Sequence, residues 1–211
     1  MAQVKAGATA TAGTSAAQRI LDSAERLAQT RGFNGFSYAD IAQELLVTKA
    51  SLHYHFPSKA ELGRALIERY HHAFAQALAT IDAQAHKPRE KLRRYVALYD
   101  SVMRKKRMCL CGMLAAEYAT LPTPMQDELR RFFDANEIWL AAVLEAGRES
   151  GDLAFLGAVR QRARSLLGAL EGAMLVARAY GDAPRFQSTA KLLVADLYAD
   201  GDAVAATVSC V

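Results

Sequence analysis

Residues 37–59, SYADIAQELLVTKASLHYHFPSK, decide the fold. Ser37 with Asp40 three positions on forms a capping-box pair that opens a short helix. Ile41, Ala42 and Leu45 then recur at helical spacing, so one face of that helix is buried. Leu46 and Val47 make a tight connection, and Thr48 is the next N-cap. The second helix runs to Phe56 and is closed by Pro57, because a residue before proline is pushed away from helical dihedrals. Ser58 caps a third helix, with Glu61 completing S-x-x-E. Two short helices across a tight turn, braced by longer ones, predict a helix-turn-helix.

The second of these helices has an inner and an outer side. At about 100° per residue, Leu52 and Phe56 point inward with Thr48 beside them. Ala50, Ser51, His53 and Tyr54 are left to solvent. A methyl, a hydroxyl, an imidazole and a phenol suit base edges in the major groove. Lys49 on the flank and Lys59 at a helix N-terminus read as phosphate contacts. The plainer alternative is an ordinary polar surface on a helical bundle, which accounts for any one of these residues better than for the whole arrangement.

The pattern Ser37…Asp40-Ile41-Ala42…Val47-Thr48-Lys49…Leu52-His53-Tyr54-His55-Phe56-Pro57-Ser58-Lys59…Leu62 resembles the N-terminal domain of the TetR family of transcriptional regulators over residues 15–75. The resemblance implies DNA contacts from Ser37, Thr48, Lys49, Ala50, Ser51, His53, Tyr54, His55 and Lys59. It also implies a homodimer joined through its last two helices, and double-stranded operator DNA as partner. The chain departs from the family pattern at Leu45-Leu46, where a small residue and glycine are usual, and at His53, where tyrosine is usual. Leucine resists the positive φ that such a turn requires.

The remaining sequence fits an all-α protein of about nine helices. The 211 residues are 52% hydrophobic and 8% aromatic with five prolines, and the net charge of +4 permits nucleic acid without demanding it. Three cysteines, an odd number, fit a reducing cytoplasm better than a disulfide framework. No apolar run reaches the length of a membrane span. Residues 1–14 read as a disordered arm, 76–200 as a ligand-binding and dimerisation domain, and 201–211 as a flexible tail. A long helix starting at Lys59 links the two halves as a lever. The basic run Arg104-Lys105-Lys106-Arg107 suits a helix C-terminus better than a localisation or nucleic-acid tag.

Enzyme chemistry finds no footing: Gly-rich phosphate loops, G-x-S-x-G and H-E-x-x-H are all missing. His53 and His55 would point about 200° apart on a helix, poorly placed to chelate a metal. No catalytic residue, metal or cofactor is expected. Tyr95, Tyr99, Met103, Met113, Tyr118, Phe132, Trp139 and Met174 would suit a small apolar or aromatic effector, with a plain core as the alternative. Cys109 and Cys111, at a helix start after four cations, have neighbours that favour thiolate and so form a possible electrophile or oxidant sensor; alternatively each is a small buried hydrophobe, and Cys210 is a possible bonding partner.

The helix near 157–180 is apolar or small almost all round. Gly168, Glu171, Gly172 and Leu175 on it, with Leu193 and Leu197 on the last helix, are the expected dimer interface. Glu171 inside that apolar run should pair with an arginine, Arg178 or Arg164 across the dimer, or else bind ligand. The resulting expectation is a DNA-binding repressor released by a small molecule. Its rivals are a cysteine-based electrophile or redox switch without a true pocket, and a helical interaction protein that does not bind DNA.

Overall fold

Ser15 accepts a hydrogen bond from the Gln18 amide while the Gln18 side chain answers the Ser15 amide, both at 3.2 Å, and this reciprocal cap starts α1 (Ala16–Arg31). The computed structural model describes residues 15–198, so the expected arm at 1–14, the tail at 201–211 and Cys210 lie outside the described residues. Eight further α-helices follow among them: α2 (Tyr38–Leu45), α3 (Lys49–His55), α4 (Lys59–Gln84), α5 (Pro88–Arg104), α6 (Leu110–Ala116), α7 (Thr123–Glu149), α8 (Val159–Ala179) and α9 (Ala183–Ala195). A single 3₁₀ turn, Tyr118–Thr120, joins α6 to α7.

The helix boundaries follow the local chemistry. Ser58 and Glu61 cap α4 reciprocally at 3.0–3.2 Å. Pro88 occupies the first turn of α5, where its missing N–H costs nothing. Leu46 takes the left-handed turn that the sequence disfavours, with φ 55°, and its side chain is 92% exposed. The strain is therefore real and no packing compensates it.

The first three helices close on Ile20, Leu27, Phe33, Ile41 and Leu52. Helix α4 buries Leu62, Leu66, Ile67, Phe74, Leu78 and Ile81. At about 1.5 Å per residue its 26 residues span about 39 Å. It packs along α7, which in turn packs on α8, and α8 on α9, while α5 bridges α7 and α9.

Replacing Leu46 by glycine removes the left-handed strain without losing a packed side chain. Stability is expected to rise by about 1 kcal/mol, after subtracting the extra unfolded-state freedom of glycine. A urea titration of the full chain reads it as a higher midpoint at unchanged slope.

Candidate nucleic-acid interface and its control site

Helix α3 presents its outer side as the sequence anticipates. Lys49, Ala50, His53 and Tyr54 are exposed, Leu52 is fully buried, and Ser51 and His55 are half-buried. Thr48 is exposed and caps the helix, accepting from the Ser51 amide at 3.2 Å. The His53 ring lies against Tyr38, centroids 4.8 Å apart, and its Nδ1 meets the Pro57 carbonyl at 3.1 Å. A carbonyl only accepts, so Nδ1 carries the proton and Nε2 is the outward-facing atom. Tyr38 itself donates to the Phe56 carbonyl at 2.7 Å, pinning α2 to the end of α3. Ser37, Lys49, His53 and Lys59 line one shallow depression between α2 and α4, a concave basic seat suited to a phosphate.

Two of these residues are less free than expected. Ser37 donates its hydroxyl to Asp40 at 2.7 Å. Lys59 has a structural task as well. Its ammonium donates to the carbonyls of Phe33 at 2.6 Å and Phe36 at 2.5 Å, and lies over both rings at 4.6 and 4.5 Å. Burial accordingly holds its pKa below the ordinary lysine value. Two of its three protons brace the α1–α2 corner, which leaves one for a phosphate.

The same corner is gripped from the other side by a residue that the sequence did not single out. Glu117, just after α6, accepts from the Phe33 amide at 2.6 Å and from the Asn34 amide at 3.3 Å. Asn34 adds a bond to Thr120 at 2.8 Å. Gly32 turns there at φ 86°, and a Cβ on it would press on the Glu117 carboxylate at 2.6 Å. Further along, the Met108 amide donates to Gln29 at 3.2 Å and Arg178 of α8 donates to the Thr30 carbonyl. The end of α1 is thus wired to α4, α6 and α8.

Behind α6 lies a buried polar cluster. Cys109 and Cys111 are free thiols, 1% and 0% exposed. Burial pushes both pKa values well above the ordinary thiol range, the reverse of the thiolate expected from the neighbouring cations. Desolvation outweighs those cations because Arg104, Lys105 and Lys106 stand in solvent, with Arg104 held by Asp100 at 2.7 Å. Tyr70 of α4 brings its hydroxyl within 3.7 Å of the Cys109 sulfur. Glu171 of α8 has a buried carboxylate; among the described residues neither oxygen has a hydrogen bond of ordinary geometry, and Cys109 is the polar side chain that acts on it. A Cβ on Gly112 would collide with that carboxylate, so only glycine lets it lie against α6. Neither arginine expected to pair with Glu171 does so within the subunit. Arg164 is bound to Glu137 at 2.9 Å, and Arg178 to Thr30 and the Met113 sulfur. Desolvation raises Glu171 from 4.5 to about 7.

Two family descriptions match the chain: bacterial regulatory proteins of the tetR family over residues 20–66, and the tetracyclin repressor-like C-terminal domain over residues 88–193. The chain belongs to the TetR family of transcriptional regulators. A TetR-family regulator from Agrobacterium tumefaciens is 35% identical, with TM-score 0.84 over 87% of this chain and 97% of that one. The HTH-type transcriptional repressor NemR of Escherichia coli K12 is 28% identical over 168 residues, 76% of this chain and 83% of that protein. The reduced form of E. coli NemR superposes with TM-score 0.74 at 26% identity, covering 87% and 97% of the two chains. This chain is therefore a DNA-binding transcriptional repressor of the TetR family. Among the described residues, no helix is long and apolar enough to cross a membrane.

The TetR-type C-terminal region places the remaining expected residues differently from one another. Tyr95, Tyr99, Phe132 and Met174 are fully buried core, not the lining of one shared pocket. The Tyr95 hydroxyl meets Asn136 and Tyr99, each at 3.0 Å, and its ring stacks on Trp139 at 5.3 Å. Met103 is buried, Met113 lies under Arg178, and Tyr118 sits apart at the 3₁₀ turn against Arg130. Aromatic and methionine side chains fill core and line pockets equally well, so their spacing did not separate the two roles. A cavity of ≈ 450 Å³ instead opens between α6, α7 and α8, beside Gly112, Ala115, Phe133, Gly168 and Glu171.

On the expected pairing face, Gly168 and Gly172 have nothing within 4 Å of a built Cβ, and Leu175 is 45% exposed. The α9 residues differ from expectation. Leu197 is buried, and the exposed leucine of α9 is Leu192, not the half-buried Leu193. Chain reversal after Ala195 carries Leu197 back against Ala154, whose amide donates to its carbonyl at 2.9 Å.

Because Glu171 binds its proton more tightly folded than unfolded, folding stability falls as pH rises from 4.5 to about 7 and then levels off. Glu171→Gln removes that loss. The variant should match the parent below the window and exceed it by about 3 kcal/mol at most above it. Thermal melts at acidic and mildly alkaline pH measure the difference.

Proposed function

We propose that two copies pair through α8 and α9 and bind a pseudo-palindromic operator in the cytoplasm. Their α3 helices would enter successive major grooves about 34–36 Å apart. The observation that carries this reading is the solvent-facing strip Lys49, Ala50, His53 and Tyr54, backed by the basic depression of Lys49 and Lys59. The pairing is supported by the uncovered apolar surface of Leu175, Val176 and Leu192. A small apolar or aromatic effector held in the ≈ 450 Å³ cavity, whose α8 wall of Gly168, Gly172 and Leu175 is also the pairing face, would release the operator. Its effect would travel through Glu117 and Arg178 to the α1–α2 corner and through α4 to α3. Release requires that the effector bind the DNA-incompetent arrangement more tightly than the competent one.

A second reading gives the signal to Cys109. The Tyr70 hydroxyl 3.7 Å from its sulfur places the thiol against α4, so an adduct there would displace the helix that supports α3. NemR, a relative whose structure is described by its reduced form, supports looking for such a group.

The test is an electrophoretic shift with the DNA upstream of the protein's own gene, at several salt concentrations. Lys49→Ala should weaken binding to all sequences and lower the salt slope by about one, leaving the melting temperature unchanged. Lys59→Ala should lower affinity and melting temperature together, because the brace on Phe33 and Phe36 is lost with the charge. No retention of the upstream DNA at low salt would favour a helical interaction protein instead.

A further inference from the structure

Glu171 is the least explained group in the molecule. A carboxylate buried without a hydrogen-bond partner is strongly unfavourable, yet Gly112 leaves the space that admits it. Glu171 borders the cavity between α6 and α8, its buried carboxylate lies against Gly112, and Cys109 is the polar group that influences it there. Cys109 is the N-cap of α6, three positions before Gly112, at the start of the helix that the Glu171 carboxylate lies against. Tyr70 approaches the same sulfur from α4.

We propose that Glu171 is the proton acceptor of Cys109, taking the Sγ proton as the sulfur adds to an α,β-unsaturated carbonyl compound. This rests on the reading of Cys109 as the sensing group. The step balances without a co-reactant. The S–H bond breaks and its proton passes to a Glu171 oxygen. A sulfur electron pair forms the S–C bond to the β-carbon, and the C=C pair moves toward the carbonyl as an enolate. The enolate then takes the proton from Glu171 at its α-carbon. The product is a thioether, and the carboxylate is regenerated.

The surroundings explain why such help is required. Burial, and next the Glu171 charge, hold the Cys109 thiol protonated well above the ordinary range, so free thiolate is scarce at neutral pH. The titratable groups facing the pair are Tyr70 from α4, Tyr95 and Tyr99 from α5, and Cys111 from α6, with Glu25 of α1 beyond Cys111. Glu137 of α7 and Arg164 of α8 border the cavity as an ion pair. Burial keeps the three tyrosines and Cys111 protonated at neutral pH, whereas Glu171 changes charge near pH 7. A base of that pKa is matched to neutral conditions.

The experiment uses the full chain with Cys111→Ser and Cys210→Ser, leaving Cys109, and N-ethylmaleimide as the probe. Labelling is followed by intact mass between about pH 5.5 and 9. The expected rate climbs with an inflection near 7 and then stays level. Glu171→Gln should slow labelling about 100-fold at neutral pH and shift the rise to the alkaline end. Gly112→Ala, which displaces the carboxylate without removing it, should move the profile the same way. Equal rates and profiles for the parent and Glu171→Gln overturn the proposal. Operator release is scored on the same samples. Labelling that depends on Glu171 but leaves DNA bound overturns the sensor reading and keeps the proton transfer. Release on labelling that ignores Glu171 does the opposite. A Cys109 that does not label in the parent overturns both.

Discussion

The fold turns on one residue held from two sides. The carbonyl of Phe33 accepts from the Lys59 ammonium at 2.6 Å, and its amide donates to Glu117 at 2.6 Å. Charge-assisted bonds of this kind are about twice as strong as neutral ones. One comes from the first turn of the long helix and the other from the segment after α6. The backbone between α1 and α2 is therefore fixed to both ends of the path that joins the C-terminal region to α3. Gly32 permits the arrangement, because any side chain there would crowd the Glu117 carboxylate.

The interior of the C-terminal region divides into a satisfied part and an unsatisfied part. Tyr95, Tyr99 and Asn136 complete one another's hydrogen bonds and have no visible task beyond packing. On α8, Glu171 borders a cavity, and among the described residues its buried carboxylate has no hydrogen bond of ordinary geometry. Low polarity strengthens completed networks and penalises incomplete ones. The incomplete one is where a small molecule gains most by arriving.

The local signals were the legible ones. Serine and threonine caps at Ser15, Thr48 and Ser58, the stop at Pro57 and the start at Pro88 depend on neighbours within a turn, and the helices begin and end where those residues place them. The outward side of α3 was equally readable, since period alone separates Leu52 from His53 and Tyr54. What escaped depends on partners far along the chain. The use of Lys59 is set by carbonyls more than twenty residues earlier, and that of Glu117 by amides more than eighty residues away. The thiols were misjudged because four adjacent cations are visible in the sequence while the burial that overrides them is not. Glu171 stood out as a lone charge in an apolar helix, but neither Gly112 nor Tyr70 carried a signal that would have placed them beside it.

The tie between Arg178 and the Thr30 carbonyl carries a further consequence. Arg178 lies in the last turn of α8, the helix whose exposed flank faces outward as Leu175 and Val176. The reading head is thus bolted to the body through α4, through Met108, through Glu117 and Thr120, and through α8. A hybrid regulator made by joining this head to another family member's body would inherit α4 but sever the other attachments. Such a graft would read its operator yet answer its signal poorly, unless the recipient's α6 and α8 ends were rebuilt to match.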